Sequence, residues 1–445
     1  MATVETGSEQ PSRPATAEER LRCDVLVIGG GPCGSTAATL LAQQGHEVLL
    51  LEKDRHPRFH IGESLLPRNL PIFRRLGLAD ALARIGVPKR GADFSEQHGG
   101  DHIVFDFADA LAPDEPSAFQ VIREELDQML FENAARHGVR ALQETRLTDL
   151  DFRADGVSAR AESDGEGRLA IEAAFVIDAS GRDSFLARKL DLRERDPNHA
   201  SAAVFGHFDG VAPRPGEEAG NISIYWFDQG WFWVIPLRDG CTSVGMVCYP
   251  RYLKEREGSM ADLFWRTVRA TPGLAARMEG ASARRPIQGT GNFSYRATRM
   301  TGERFLLAGD AYAFIDPVFS SGVYLAMQGA EYAAEAVDGI LREPAKSAAH
   351  RRRFERRVRS GLKTFSWFIY RFTNPGFRYL FVNPSDRFSI RAAVISVLSG
   401  DVYGRTRLWP QLLAFRLLYY AASLLHWRQG GAFRRRLETR DPALN

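Results

Sequence analysis

A glycine-rich turn near the start of the sequence has the residue types and spacing of a site for a dinucleotide diphosphate. Gly29, Gly31 and Gly34 lie between an apolar run and a stretch of small residues in CDVLVIGGGPCGSTAATLLAQQGHEVLLLEKD. The pattern predicts a strand, a tight turn, a helix and a second strand, with the diphosphate bound by free N–H groups at the helix N-terminus. Glu52 ends the second predicted strand and is the acidic residue expected to bind ribose hydroxyls.

Two later segments each show an apolar strand that ends in a turn of small residues. FVIDASGRDS spans 175–184, and RFLLAGDAYAFIDP spans 304–317 and contains Gly309 and Asp310. With REELDQML, which begins at Arg123, these segments resemble the later motifs of FAD-dependent enzymes of the para-hydroxybenzoate hydroxylase type. The resemblance implies that the cofactor is FAD, that Asp310 binds its ribityl chain, and that Arg123 approaches it.

Two of the seven tryptophans stand one residue apart in GWFWVIPL, residues 230–237. Alternate residues of a strand point to the same face, so Trp231 and Trp233 are predicted to share one face while Phe232 and Val234 share the other. Aromatic and β-branched residues are common in strands, so the spacing is also typical of simple sheet packing. The spacing by itself leaves both readings open.

The same segment matches the WxWxIP signature of flavin-dependent halogenases. A second signature of that family, FxxPxxSxG, matches FIDPVFSSG immediately after the Gly309–Asp310 turn. The matched positions are Phe314, Pro317, Ser320 and Gly322. RFHIGESLLP, SYRA and FTNPGFRYLFVNPSDRF resemble the branch of the family that acts on phenols and pyrroles, and the resemblance runs from about residue 22 to beyond residue 400.

The resemblance implies that reduced FAD and O2 oxidise chloride or bromide to hypohalous acid, which requires an anion site beside the flavin. Ser320, Ser321 and Gly322 precede a predicted helix, so their backbone N–H groups are candidates for binding the halide. Pro317, in the same segment, is placed with the FAD-binding residues. No metal site is expected.

Three side chains are implied to have catalytic roles. Trp231 and Trp233 are expected to keep the organic substrate away from the oxidised flavin, so that oxygen is not transferred to carbon. Lys89, in GVPKRGADF, resembles the lysine that passes hypohalous acid to the substrate, as a chloramine or as a hydrogen-bond donor. Without that context, a lysine beside Arg90 in a turn would be read as a surface charge.

The function implied is that of a halogenase acting on an electron-rich phenol or pyrrole, free or bound to an acyl or peptidyl carrier protein, in natural-product biosynthesis. A partner flavin reductase is expected to supply FADH2, since no separate NAD(P)H fingerprint is visible. Two alternatives stay open, an FAD-dependent monooxygenase and a flavin reductase similar to geranylgeranyl reductases. A monooxygenase would give no role to Trp231 and Trp233, and such a reductase would give none to Lys89.

The predicted fold class is α/β, with a Rossmann-like FAD-binding domain of the para-hydroxybenzoate hydroxylase type over 22–340. A substrate-binding β-sheet is expected to be inserted at about 90–110 and 190–300, with a disordered tail over 1–21 and a basic helical region or lid over 341–445. The tail has no apolar signal-peptide core, and the four cysteines lack metal-ligand spacing and disulfide density. These features predict a cytoplasmic enzyme with reduced thiols.

Charge is unevenly distributed along the chain. The net charge is +3, but residues 346–445 contain twenty Lys or Arg and five Asp or Glu, a net +15 against −12 for the rest. Such a region attracts acidic partners, including carrier proteins, and nothing indicates nucleic-acid binding. Pro410 and Arg416 interrupt LWPQLLAFRLLYYAASLLHW, so this run is not expected to span a membrane. We expect it to cover the substrate cavity as a lid. An interfacial helix or a carrier-docking face is the alternative, and peripheral membrane contact is not favoured.

Overall fold

The structure is a computed structural model. It describes residues 18–95, 102–196, 200–291, 294–383, 387–404 and 408–428. The predicted N-terminal tail lies outside the described residues as far as position 17. The first strand begins at Glu19, inside the predicted tail, because residues 19–23 pair with the strand that starts at Gly167.

The described residues form twenty strands. They are β1 (Glu19–Ile28), β2 (Val48–Leu51), β3 (Gly86–Lys89), β4 (Gly91–Ser95), β5 (His102–Asp106), β6 (Ala118–Val121), β7 (Arg140–Leu142), β8 (Thr145–Phe152), β9 (Val157–Ser163), β10 (Gly167–Asp178), β11 (Arg193–Arg195), β12 (Ala202–Asp209), β13 (Ile222–Phe227), β14 (Gly230–Pro236), β15 (Thr242–Cys248), β16 (Ser282–Ala283), β17 (Gln288–Thr290), β18 (Tyr295–Ala297), β19 (Phe305–Leu307) and β20 (Ala313–Phe314).

Thirteen α-helices accompany these strands in the same parts of the chain. They are α1 (Pro32–Gln43), α2 (Leu70–Arg75), α3 (Ala79–Ile85), α4 (Arg123–Arg136), α5 (Phe185–Lys189), α6 (Pro250–Lys254), α7 (Met260–Arg269), α8 (Pro272–Arg277), α9 (Ser321–Arg342), α10 (Ser347–Ile369), α11 (Pro375–Val382), α12 (Ile390–Leu398) and α13 (Trp409–Arg428).

The first sheet has the strand order β7-β2-β1-β10-β9-β8, with β19 also paired to β10. Strands β7, β2, β1, β10 and β19 run parallel, whereas β9 and β8 are antiparallel additions. The carboxyl ends of parallel strands meet at one edge, which is where doubly wound sheets bind their ligands. The turns after β1, β2, β10 and β19 therefore lie together, and the predicted α/β class with a Rossmann-like sheet is confirmed.

The second sheet has the order β16-β12-β15-β14-β13-β4-β5, with β17 paired to β12. Its two faces belong to different cores. Trp231 and Trp233 pack with the main core of the protein, while Phe232 and Val234 pack in a smaller core with Phe264 of α7. The predicted alternation of this strand is confirmed.

The C-terminal helices extend the main core. Helix α9 packs against α1 and α10, and α13 packs against α11 and α12. A cluster of aromatic rings joins these helices to the second sheet; it includes Phe94, Trp226, Phe319, Phe368, Phe372, Phe377, Phe381 and Phe415. Among the helices described, none combines the length and the apolar character needed to cross a membrane.

Candidate active site

A cavity of about 830 Å³ runs along the carboxyl edge of the first sheet to the inner face of the second. Most of the residues predicted from sequence line it. They are Gly29, Gly31, Glu52, Arg123, Trp231, Trp233, Gly309, Asp310, Pro317, Ser320 and Gly322. Gly34, Lys89 and Ser321 do not line the cavity.

The glycine turn after β1 is shaped for close approach of the backbone. Gly29 has φ +99°, and a Cβ there would lie 2.5 Å from the Ala179 carbonyl oxygen. A Cβ on Gly34 would lie 1.8 Å from the Gly29 carbonyl oxygen, so this glycine allows α1 to pack on the strand. A Cβ on Gly31 would instead have the Arg58 guanidinium as its nearest neighbour, at 3.5 Å. The cavity therefore has room for a diphosphate at the N-terminus of α1, where no side chain caps the helix.

Replacing Gly31 with valine is expected to weaken FAD binding without unfolding the apoprotein. The backbone at Gly31 is extended (φ −76°, ψ −173°), so a side chain is sterically allowed there but would occupy the space of the diphosphate. We expect the Kd for FAD to rise by about 10- to 100-fold, measured by quenching of flavin fluorescence. An unchanged Kd would contradict this placement, and the melting temperature of the apoprotein is the folding control.

The carboxylate of Glu52 is held in a fixed orientation at the cavity wall. Its Oε2 accepts a hydrogen bond from the Gly30 N–H (2.8 Å), and its Oε1 accepts one from the Asp54 N–H (3.0 Å). Arg58 lies between Glu52 and Asp127, 3.4 Å from each carboxylate. Sequence reasoning missed Arg58. Its Nε is buried and has no hydrogen-bond partner among the described residues, which fits a site for an anionic cofactor.

Arg123, the first residue of α4, is buried and forms a bidentate ion pair with Asp127. Its Nε and Nη2 lie 2.8 and 3.0 Å from the two Asp127 oxygens, while Nη1 donates to the carbonyl oxygen of Ile61 at 2.8 Å. Arg123 thus fixes the segment at 61–62 against the cavity. The predicted approach of Arg123 to FAD stays a prediction, but its position in the wall supports it.

Asp310 follows β19 and lies in the cavity wall, as expected for a group that binds ribityl hydroxyls. Burial raises the pKa of the Asp310 carboxyl to about 6, although the guanidinium groups of Arg123 and Arg182 oppose the shift. The ionised carboxylate of Asp310 therefore lowers the stability of the folded protein in the absence of a ligand.

Asp310→Asn is expected to stabilise the apoprotein and to weaken FAD binding. Because folding raises the pKa of this carboxyl, its destabilising effect is absent below about pH 4, grows towards pH 6 and is complete above it. At pH 8 we expect a gain in unfolding free energy on the order of 2 kcal/mol, and a smaller gain at pH 5. Chemical denaturation at the two pH values measures it; a variant that is less stable at pH 8 would contradict the account.

Trp231 and Trp233 are buried side by side in the wall formed by the second sheet, with ring centroids 6.0 Å apart. The Trp233 Nε1–H donates to Ser243 Oγ at 3.1 Å, and Trp231 contacts the ring of Phe372 edge-on. These contacts hold both indoles in the cavity wall. The structure therefore places the pair where the predicted exclusion of substrate could operate.

The predicted halide turn precedes α9, the 22-residue helix that begins at Ser321. Ser320 has φ +54° and lines the cavity, and so does Gly322. Ser321 is buried beneath them, and its hydroxyl makes no hydrogen bond in the described part of the chain. The free N–H groups of the first turn of α9 suit an anion, and the assignment of a halide to them remains a prediction.

Lys89 ends β3 and is fully buried, 1% exposed. Its Nζ donates to Ser64 Oγ and to the Leu65 carbonyl oxygen, both at 2.9 Å, and lies 5.2 Å from the centre of the Phe107 ring. Ser64 lines the cavity, so the amine lies one hydrogen bond behind the wall. Burial lowers the pKa of Lys89 to about 7. The reading of this lysine as a solvated surface charge is therefore wrong.

A hydrogen-bonded pair that includes a residue of this wall was not predicted. Glu63 is 1% exposed, and its Oε1 lies 2.8 Å from His207 Nε2, on β12 of the second sheet. The pair links the second sheet to the segment that contains Ser64 and Leu65, the two hydrogen-bond partners of Lys89. Sequence gives no signal for it, because 144 residues separate the two partners.

The C-terminal helices contribute unequally to the cavity. Val358 and Leu362 of α10 and Tyr403, which follows α12, line it, whereas no described residue of α13 does. The expectation that the last apolar run covers the cavity is thus wrong. Packing of α13 on α11 and α12 holds it away from this wall.

Comparison with known proteins agrees with this geometry. The profile of the FAD binding domain family matches residues 22–364, so the chain is an FAD-dependent flavoprotein. The 1H-pyrrole-2-carbonyl-(peptidyl-carrier protein) chlorinase of Pseudomonas fluorescens is 29% identical over 408 residues, covering 86% of this chain and 90% of that protein. The flavin-dependent halogenase armH3 of Armillaria mellea is 34% identical over 357 residues, covering 73% of this chain and 69% of that protein.

Among solved structures, the myxobacterial chondrochloren halogenase CndH superposes with a TM-score of 0.75 at 30% identity, covering 91% of this chain and 97% of that one. The chain therefore belongs to the flavin-dependent halogenases. It is an enzyme whose cofactor is FAD, and the family uses O2 and a halide. The predicted family and cofactor are confirmed, and the monooxygenase and reductase alternatives are set aside.

Proposed function

We propose that this enzyme halogenates an electron-rich phenol or pyrrole by way of Lys89. The observation that carries the proposal is the position of the Lys89 amine, buried and one hydrogen bond behind the wall that also contains Trp231. Bound in its reduced form, FAD supplies, with O2, the oxidant that converts a halide to hypohalous acid. The residues of the chain then have three tasks, which are to hold the halide, exclude the substrate and redirect the halogen.

The first two tasks fall to two groups of residues that line the cavity. Backbone N–H groups at Ser320–Gly322 bind the halide, and backbone donors are not consumed by an oxidant. Trp231 and Trp233 block the organic substrate from that end of the cavity. The substrate is therefore halogenated at a distance from the flavin, by a species that has crossed the wall.

The hydrogen bonds of Lys89 suit it for the third task. A neutral amine has two N–H groups and one lone pair, and Ser64 Oγ and the Leu65 carbonyl oxygen accept the two N–H groups. The lone pair is left to attack hypohalous acid. An N–halogen bond forms, the O–halogen bond breaks, and the departing hydroxide takes a proton from nitrogen to leave as water. With the pKa lowered to about 7, much of the amine is neutral near pH 7.

The test of this function is product analysis with a flavin reductase, NADH, FAD, O2 and bromide. A panel of phenols and a pyrrole loaded on a carrier protein serve as substrates. We expect a mono-brominated product, identified by its bromine isotope pattern in mass spectrometry. A hydroxylated product formed equally well without halide would contradict the proposal, and direct reduction of the bound flavin by NADH alone would remove the need for a partner reductase.

We further propose that the substrate is delivered on an acidic carrier protein that docks on α10. One side of this helix lines the cavity through Val358 and Leu362, while Arg352 and Arg356 are exposed. A basic surface next to the cavity attracts an acidic domain carrying a tethered aromatic group. The Pseudomonas fluorescens chlorinase, by its name, acts on a pyrrole held in this way.

Charge reversal at Arg352 and Arg356 is expected to raise the KM for the carrier-bound substrate by about tenfold, with kcat and the KM for a free phenol unchanged. Arg136→Glu, an exposed arginine of α4, is the matched control. The effect should shrink at high salt, because exposed charges are screened. An unchanged KM for the carrier would favour a free substrate.

A further inference from the structure

The outward face of α13 has the composition of a buried surface. Side chains of this helix are described as far as Leu424, and every exposed position among them is apolar or aromatic. The large exposed side chains are Trp409 (61%), Leu413 (58%), Leu417 (62%), Leu418 (42%), Tyr420 (53%) and Leu424 (50%). Solvated helix faces normally carry charges, so this face indicates an interaction surface.

The exposed residues form a continuous stripe along the helix. We call five of these residues the outer stripe: Trp409, Leu413, Leu417, Tyr420 and Leu424. At about 100° per residue, all five lie within roughly 80° of the helix circumference. The opposite face, with Leu412, Phe415 and Tyr419, is buried against the aromatic cluster. The core therefore fixes the helix with the outer stripe turned to the outside.

Two arginines lie near the outer stripe. Arg416 belongs to α13 and has its guanidinium 4.8 Å from the Trp367 ring centre, and Arg371 Nη2 lies 3.4 Å from the Tyr420 hydroxyl. Three consecutive arginines, Arg434 to Arg436, follow in the sequence within the next twelve residues after Leu424. An apolar face with neighbouring cations is the pair of signals needed for stable binding to an anionic lipid surface.

We propose that the outer stripe binds the surface of a membrane that contains anionic lipids. The leucines enter the boundary between headgroups and acyl chains, and the indole of Trp409 and the phenol of Tyr420 lie at the level of the headgroups. Docking of a second copy on the same face would bring together two regions that each carry a net charge of +15, which opposes association. A carrier protein does not fit this face, because its bound substrate must reach the cavity. Residues of α10 line the cavity, whereas the described residues of α13 do not.

The experiment is flotation of the FAD-loaded full-length enzyme with lipid vesicles. We expect binding to vesicles of phosphatidylcholine mixed with phosphatidylglycerol, weaker binding to phosphatidylcholine alone, and partial release by high salt. Leu413→Gln, Leu417→Gln and Leu424→Gln combined should lower the bound fraction by about tenfold, since each replaces an exposed apolar side chain. Phe152→Gln, at an exposed aromatic of β8, is the matched control and should bind as the parent does. FAD content and melting temperature verify folding of each variant.

Several outcomes would overturn the proposal. Absence of flotation with anionic vesicles would do so, as would binding that the triple variant retains in full. A concentration-dependent dimer in analytical ultracentrifugation that the triple variant abolishes would assign the outer stripe to a second copy. Truncation after Arg428 should reduce vesicle binding because it removes Arg434–Arg436; tighter binding after truncation would mean that residues 429–445 are the natural occupant of the stripe.

Discussion

Replacing Lys89 with methionine is expected to abolish halogenation of the aromatic substrate while hypohalous acid is still produced. The proposed halide turn at Ser320–Gly322 and the tryptophan pair are untouched by this change, but the amine that we propose as the acceptor of the halogen is gone. We expect the rate of substrate halogenation to fall on the order of 10²- to 10⁴-fold. Product yield is measured by mass spectrometry, and hypohalous acid is trapped in parallel as a haloamine of taurine. Loss of both products would show that Lys89 acts before the oxidant is made.

The same variant is expected to be more stable than the parent. Folding lowers the pKa of Lys89 from 10.5 to about 7, because burial disfavours the charged amine. The resulting destabilisation is complete below pH 7 and disappears as the pH rises towards 10.5. After allowing for the lost hydrogen bonds to Ser64 and Leu65, we expect a gain of about 2 to 4 kcal/mol at pH 6. The gain should shrink at pH 9; a gain independent of pH would contradict the lowered pKa.

The second large effect is expected from Trp231→Ala, which removes one of the two indoles that we propose to keep the substrate away from the flavin. The ratio of halogenated product to hydroxylated product plus hydrogen peroxide should fall by about tenfold, because substrate and water then reach the oxidant directly. Loss of the indole should also cost roughly 3 to 5 kcal/mol of stability. Product ratios are measured by liquid chromatography with mass spectrometry, and peroxide by a coupled peroxidase assay.

The same strand supplies the control for this experiment. Phe232 is equally buried but faces the smaller core with Phe264, away from the cavity. Phe232→Leu should lower stability without changing the product ratio. If both variants shift the ratio alike, general loosening of the second sheet, and not the loss of a barrier at Trp231, explains the result.

The parts of the site that sequence predicted are those encoded within a few neighbouring residues. The glycine turn at 29–34 and the alternation of Trp231 with Phe232 follow from local steric rules and strand geometry. The roles of Lys89 and of the FxxPxxSxG turn depended on resemblance to a family, because a lysine or a serine turn has no distinctive local pattern.

The parts that sequence missed are contacts between distant segments. Arg58 lies between Glu52 and Asp127 only because α4 packs on α1 and β7, which brings Asp127 close to the end of β2. Glu63 and His207 meet because the second sheet closes over the segment after β2. The outer stripe could not be separated from the buried face of α13 by periodicity, since both faces are apolar.

The most direct test of the central claim needs no substrate. The purified enzyme is loaded with chemically reduced FAD and mixed with O2 and taurine, with bromide present or absent. We expect taurine bromamine only when protein, reduced FAD and bromide are all present, and at the same level in Lys89→Met as in the parent. No bromamine above the level given by free reduced FAD would contradict the claim that this cavity converts a halide to hypohalous acid.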